Sequence, residues 1–228
     1  MKAQRLRLRF HVSSIAPSSG RRDLLKEWQR AAADAKIGLS YSQGKRPAAQ
    51  ISVASLLPQG ATSSGELMDV FVEQRLDPDV VKDRLQSHLP EDIVLVDVEE
   101  VGMQTPSIQS QLRWAEYEVE AQTNESRTAV QERIDRLLDS KTWPAKLKRE
   151  AKIREYDLRP LVIGIRIEAM REDCVCLGMS LSAQQERTAR ADQVVLALGL
   201  PAARRIHRVA LHLERTPAAV AAYRREEE

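Results

Sequence analysis

An order of hydrophobic periodicities runs through this chain twice. Arg5-Leu6-Arg7-Leu8-Arg9-Phe10 alternates basic and apolar residues with period two, the mark of a half-buried strand, with Leu6, Leu8 and Phe10 facing inward. Leu24, Leu25, Trp28, Ala31, Ala32 and Ala35 then recur at helical spacing. A cap from Ser18 or Ser19 and a stop at Gly38 bound that helix. Alternating segments at 50–55 and 67–74 read as two strands. Asp77-Pro78-Asp79 opens a second helix by capping and by proline in its first turn, with Val81 and Leu85 inward. A fourth strand follows at 93–98.

The succession then repeats. A strand at 116–120 leads to a helix capped by Asn124, with Val130, Ile134, Leu137 and Leu138 on one face. Residues 161–167 and 174–181 form a hairpin. Thr188 caps a helix with Val194, Val195 and Leu198 inward, closed by Gly199, and 206–213 is the last strand. In both halves the second helix runs into Leu-Pro (Leu89-Pro90, Leu200-Pro201) before the closing strand. Strand-helix-strand-strand-helix-strand is the ferredoxin-like motif. The expectation is therefore an α+β chain of two tandem ferredoxin-like halves, with mainly antiparallel sheets and helices on one face. The boundaries are 1–103 and 114–216, a linker at 104–113, a basic irregular insertion at 141–160 and a charged tail at 217–228. A length of 228 residues suits one large domain or two small ones.

Composition narrows the function classes. With 43% hydrophobic and 30% charged residues the chain is globular, and at net charge +2 it is no polycation, so a polyanion surface must come from local clustering. Cys174 and Cys176 are too close to staple a fold and fall short of the three or four ligands of a metal site, so packed thiols are expected. No apolar run reaches membrane-spanning length and the N-terminus lacks the apolar core of a signal peptide, which predicts a cytoplasmic protein without membrane contact.

The clearest cluster is 141–160. Lys146, Lys148, Arg149, Lys152 and Arg154 interleave there with Trp143 and Tyr156, a mixture that neutralises phosphates and stacks unpaired bases. Its bland counterpart is a solvated insertion paired with Glu150 and Glu155. Lys45 and Arg46 follow Gly44, where backbone N–H groups and two cations could meet an anion, or a turn merely tolerates charge. Arg5, Arg7 and Arg9 form either a positive stripe or ion pairs with acids such as Asp97 and Glu99. Asp157 and Arg159, two apart before Pro160, make an internal ion pair or backbone clamp, or else a substrate contact. His11, His88, His207 and His212 have no sequence-adjacent nucleophile, so they are expected to be structural, and no catalytic residue is assigned.

Several blocks resemble one family. They are Tyr41-Ser42-Gln43-Gly44, Ile51-Ser52-Val53-Ala54, Leu57-Pro58-Gln59-Gly60, Ser64 and Glu66-Leu67-Met68-Asp69. Asp157-Leu158-Arg159-Pro160, Ala197-Leu198-Gly199-Leu200 and Ile206-His207-Arg208 follow in order. Together they resemble the radical SAM-linked protein family, a domain of unknown function encoded beside, or fused behind, a radical SAM protein. Two segments depart from it. Ser19-Gly20-Arg21-Arg22-Asp23-Leu24 lacks the family's histidine, and Lys45-Arg46-Pro47-Ala48-Ala49 replaces a Phe-Asn-Pro-His-Pro run. The resemblance implies a radical SAM protein as partner. That partner would carry an iron-sulfur cluster and S-adenosylmethionine, with no cofactor in this chain.

The leading expectation is an accessory partner that binds or presents RNA for modification. A stand-alone RNA-modifying or RNA-processing enzyme and a protein-protein adaptor are the alternatives. Tandem ferredoxin-like halves also occur in tRNA pseudouridine synthases and in RNA-processing nucleases, an analogy of fold alone.

Overall fold

A computed structural model describes residues 2–13, 21–149 and 152–214, with backbone alone at 21–23, 147–149 and 152–154. The cap sought at Ser18 or Ser19 and the tail 217–228 lie outside the described residues. The first half runs β1 (Gln4–Val12), α1 (Arg21–Asp34), β2 (Ile51–Val53), β3 (Thr62–Val72), α2 (Pro78–Gln86) and β4 (Ile93–Val101). After α3 (Ile108–Gln111) the second half runs β5 (Leu112–Gln122), α4 (Arg127–Asp139), β6 (Pro144–Arg149), β7 (Lys152–Asp157), β8 (Val162–Met170), β9 (Cys174–Gln184), β10 (Arg187–Thr188), α5 (Ala191–Ala197) and β11 (Ala203–Leu213).

The chain is α+β and mostly antiparallel. Nine strands join one sheet in the order β10-β9-β5-β11-β3-β1-β4, with β2 also on β3 and β8 also on β9. Within the first half the order is β4-β1-β3-β2, and within the second it is β11-β5-β9-β8. The halves meet through a short parallel pairing, His207 opposite Thr62 and Arg208 opposite Ser63. At this seam the chains run so close that a Cβ on Gly65 would stand 2.5 Å from the Val209 carbonyl oxygen.

Alternation in β1 sets the first core. Leu6, Leu8 and Phe10 are wholly buried, and the register places Leu6 beside Val70 and Leu8 beside Met68. Trp28, Ala31 and Ala32 of α1 and Val81 and Leu85 of α2 close over them. Phe10 and Trp28 meet edge to face with ring centroids 5.0 Å apart. Each such burial stabilises by about 1.5–3 kcal/mol relative to exposure. The second core joins Tyr117, Val119 and Ala121 of β5 to helices α4 and α5. Ala54, Leu67 and Ile108 belong to this second cluster, so it draws on the first half and on the connecting segment.

Helix ends follow local hydrogen bonding. Asp77 caps α2 as expected, accepting from the Asp79 N–H at 2.9 Å. Gly199, at φ +69, ends α5, where the Leu200 N–H reaches the Val195 carbonyl at 3.2 Å. Three expected caps are corrected. α1 ends through Lys36, at φ 57, with the Ile37 N–H on the Ala32 carbonyl, and Gly38 lies beyond that turn. Burial of Ile37 anchors the turn and offsets the cost of a left-handed lysine. Ser126, rather than Asn124, caps α4. Arg190 precedes α5 without a side-chain cap, while Thr188 lies in β10.

Two segments are more ordered than expected. The linker holds α3, and Ile108 is wholly buried; the Gln109 amide donates to the Val53 carbonyl at 2.8 Å. The insertion is a two-stranded ribbon, β6 paired with β7, rather than irregular chain.

Candidate nucleic-acid interface

The β6–β7 ribbon grows from a bolted base. Asp157 Oδ1 accepts from the Trp143 N–H at 2.7 Å and from the Arg159 N–H at 3.1 Å. The Arg159 guanidinium donates to the Leu138 and Val162 carbonyls, each at 2.8 Å. Asp157 and Arg159 therefore clamp backbone at the foot of the ribbon, and their side chains hold neighbouring chain rather than each other. Trp143, Ala145 and Tyr156 pack against the second core. Burial, followed by the nearby Asp192 carboxylate, holds the Tyr156 phenol above its ordinary pKa.

Beyond this base the strands carry the basic residues. The register sets Lys146 opposite Glu155, Leu147 opposite Arg154, Lys148 opposite Ile153 and Arg149 opposite Lys152. Lys146 and Glu155 pair at 3.1 Å with both side chains largely exposed, an arrangement of small net worth. The side chains of Lys148, Arg149, Lys152 and Arg154 lie outside the described residues.

Lys45 and Arg46 sit on a separate loop. Tyr41 bridges to Ala49, and Ser42 closes the loop by donating its N–H to the Ala48 carbonyl at 2.9 Å and accepting the Ala48 N–H at 3.0 Å. Gly44, at φ 133, makes the turn that carries Gln43 and the two cations outward, all exposed.

Glu66 and Asp69 are buried and already occupied. Asp69 accepts from Arg5 Nη2 at 2.5 Å and from Arg7 Nε at 2.8 Å. Arg5 also donates to the Thr105 carbonyl at 2.5 Å and to the Pro106 carbonyl at 2.8 Å, which ties the linker down. Of the two readings of Arg5, Arg7 and Arg9, ion pairing holds and only the partner is corrected. Two of these cations are consumed by Asp69, rather than by Asp97 or Glu99, and Arg9 is exposed. On Glu66 the Arg208 guanidinium lies two-pronged, Nε at 2.7 Å from Oε1 and Nη2 on Oε2. Burial opposes the charge of Arg208, but Glu66 outweighs it and holds the pKa above the ordinary value.

The structure also joins residues that sequence separation hid. At the seam, His207 Nδ1 lies 2.7 Å from Thr62 Oγ1 and His207 Nε2 lies 2.7 Å from Ser64 Oγ. Burial first, then the Arg205 charge, hold the imidazole below its ordinary pKa. A neutral imidazole bonded to a serine hydroxyl can take its proton. These partners are 143 to 145 positions apart, so no local motif announces them. Farther along the sheet, a concavity of about 460 Å³ is lined by Arg166, Arg171, Arg205, Glu118, Glu120 and Glu168. Its charges cancel internally, with Arg166 2.5 Å from Glu168 and Arg171 3.4 Å from Glu120, so it exerts little net pull on a polyanion. Burial pushes the Cys176 thiol there above its ordinary pKa, away from thiolate.

Among the described residues no three His, Cys, Asp or Glu stand together as a metal site, and no helix is long and apolar enough to cross a membrane.

Comparison with known proteins places the chain in a family. No curated protein matches it. A solved Cbf5-Nop10-Gar1 complex is similar at TM-score 0.49 and 10% identity, over 88% of this chain and 47% of that one. The archaeal box H/ACA sRNP Nop10-Cbf5 complex is similar at TM-score 0.43 and 9% identity, over 88% and 46%. An unknown protein from Galdieria sulphuraria is similar at TM-score 0.27 and 14% identity, over 86% and 89%. The chain spans about half the length of the first two. A sequence profile for an uncharacterized protein conserved in bacteria (DUF2344) matches residues 5–191, and the chain belongs to that family.

Proposed function

We propose that this protein binds RNA through the β6–β7 ribbon and presents it to a radical SAM enzyme as an accessory partner. One observation carries the RNA reading. The two strands hold Lys146, Lys148, Arg149, Lys152 and Arg154 on a ribbon that pairs only with itself, against two acids, Glu155 and Asp157. Both acids are engaged, Glu155 with Lys146 and Asp157 with the backbone at the ribbon's foot. By sequence the ribbon and its turn hold five cations against three acids, Glu150 of the turn included, and phosphates are the natural counter-charge for the excess. Lys45 and Arg46 on their exposed loop are a second contact in this reading, as are Tyr41, Ser42, Gln43 and Gly44, which shape it.

The radical SAM partner rests on the family resemblance of the Tyr41–Gly44 and Asp157–Pro160 blocks. Glu66, Asp69, Asp157 and Arg159 serve in this reading as framework. The matching strand orders of the two halves support a tandem ferredoxin-like chain, with halves at 1–103 and 114–216; its cytoplasmic setting is part of the same reading. Affinity purification of the tagged chain from its own cells tests the partnership. A radical SAM protein retained at stoichiometric level supports it, and its absence from the eluate contradicts it.

A second reading, a stand-alone RNA-processing enzyme, is favoured by the 2.7 Å contact between Ser64 Oγ and His207 Nε2. In it His207 acts as general base. Turnover of RNA by the purified chain, abolished in His207→Ala, is its expected signature. Intact RNA after prolonged incubation with wild-type protein removes it.

A further inference from the structure

A second concavity, of about 280 Å³, is lined by Arg113, Trp114, Ile163, Ser182, Gln184 and Arg187. No carboxylate lines it among the described residues, unlike the larger concavity on the same sheet. Trp114 is its aromatic floor. The β-register sets Trp114 between His212 on β11 and Ser182 on β9. His212 stacks flat on the indole, with ring centroids 3.6 Å apart and planes 1° from parallel. His212 does not line the concavity, whereas Ser182 and Gln184 do. One face of the indole is taken by His212, which holds the ring in place, and the ring also borders the hollow.

The surroundings suit a nucleotide. Ile163 is 58% exposed beside the hollow, an apolar wall left in water. Arg187 is exposed on the short strand β10, next to the Gln184 amide. Arg113 is braced by Glu214 and by the Ser110 carbonyl at 2.8 Å. An aromatic floor, an apolar wall, an amide and a nearby guanidinium are the components by which unpaired bases and their phosphates are held.

We propose that this hollow takes one base of a single-stranded RNA, stacked on Trp114, with Gln184 at the base edge and Arg187 on the adjoining phosphate. The proposal rests on the RNA-binding reading above and gives it a second, base-stacking contact away from the ribbon. Nothing in the sequence singles out Trp114, because a lone tryptophan at the start of a strand carries no motif.

The test is a titration of the full chain with a ten-nucleotide oligouridylate, read by tryptophan fluorescence and by anisotropy of end-labelled RNA. The chain has three tryptophans. Trp28 is 2% exposed and shielded, so Trp114 and Trp143 are the ones RNA can reach. Saturable quenching is expected in Trp143→Phe, where Trp114 is the one reachable indole left. Trp114→Ala should bind about tenfold more weakly, the usual worth of one stacked base, with an unchanged salt slope. Arg187→Ala, at an exposed site that folding does not need, should lower the salt slope by about 0.7. RNA binding without quenching in Trp143→Phe, or wild-type affinity and slope in both Trp114→Ala and Arg187→Ala, overturns the base site. In that event a ribbon variant that loses binding leaves the RNA reading standing. No binding of the oligonucleotide by wild type overturns both.

Discussion

Arg208 on β11 lays its guanidinium fork on the Glu66 carboxylate of β3, across the seam between the two halves, with both side chains almost wholly buried. The same guanidinium reaches the Ser55 carbonyl at 3.1 Å and the Leu56 carbonyl at 3.2 Å. A charge pair so enclosed stabilises little beyond an apolar pair of the same shape, but removing one partner strands the other. Arg208→Met alone should cost about 3–5 kcal/mol, and Glu66→Leu with Arg208→Met should recover most of it. Urea denaturation of the single and double variants checks this. Additive losses would show that the two side chains act independently.

The seam also depends on a missing side chain. A Cβ on Gly65 would stand 2.5 Å from the Val209 carbonyl oxygen and 2.8 Å from the Ala210 Cα, both backbone atoms that cannot yield without parting β11 from β3. A Cβ on Gly178 would press on Glu168 Oε1 and stand 3.0 Å from the Arg166 guanidinium carbon, the ends of side chains able to swing aside. Gly65→Ala should therefore destabilise by about 1–3 kcal/mol, and Gly178→Ala by much less. Thermal melts of the two variants side by side give the comparison.

Much of the first half was legible because its core follows simple periods. The alternation of Leu6, Leu8 and Phe10 and the Asp77-Pro78 helix start depend on residues a few positions apart. What escaped depends on distant partners. Nothing near Arg5 or Arg7 in sequence indicates that Asp69 will take both, and the Arg208–Glu66 pair spans 142 positions. The misplaced caps have a different cause. Asn124 and Ser126 are both competent cap residues, and Ser126 is the one that directly precedes α4 and accepts the Ala129 N–H. The ribbon read as irregular because Lys and Arg interrupt its apolar alternation, which matters less in strands that meet the second core at their base.

His207 gives stability a pH dependence. Burial and Arg205 lower its folded pKa below the ordinary 6.5, with Glu118 pulling the other way and His11 adding to the repulsion. The unfolded chain then binds a proton more readily than the folded one. This contribution is fully present above about pH 6.5 and is lost as pH falls from there toward the lowered folded value. Urea midpoints measured from pH 8 to 5 should fall in wild type and fall less in His207→Gln. Parallel profiles would place the titration elsewhere.

The central claim, that the ribbon's cations bind RNA phosphates, is tested most directly by the salt dependence of affinity. Anisotropy titrations of a single-stranded RNA across a series of potassium chloride concentrations give the slope of log K against log salt. For the variant with Lys148, Arg149, Lys152 and Arg154 all changed to Ala, binding should weaken. The slope should also shallow by about 0.7 for each phosphate that the variant no longer neutralises. An affinity and a slope equal to those of wild type would contradict the account.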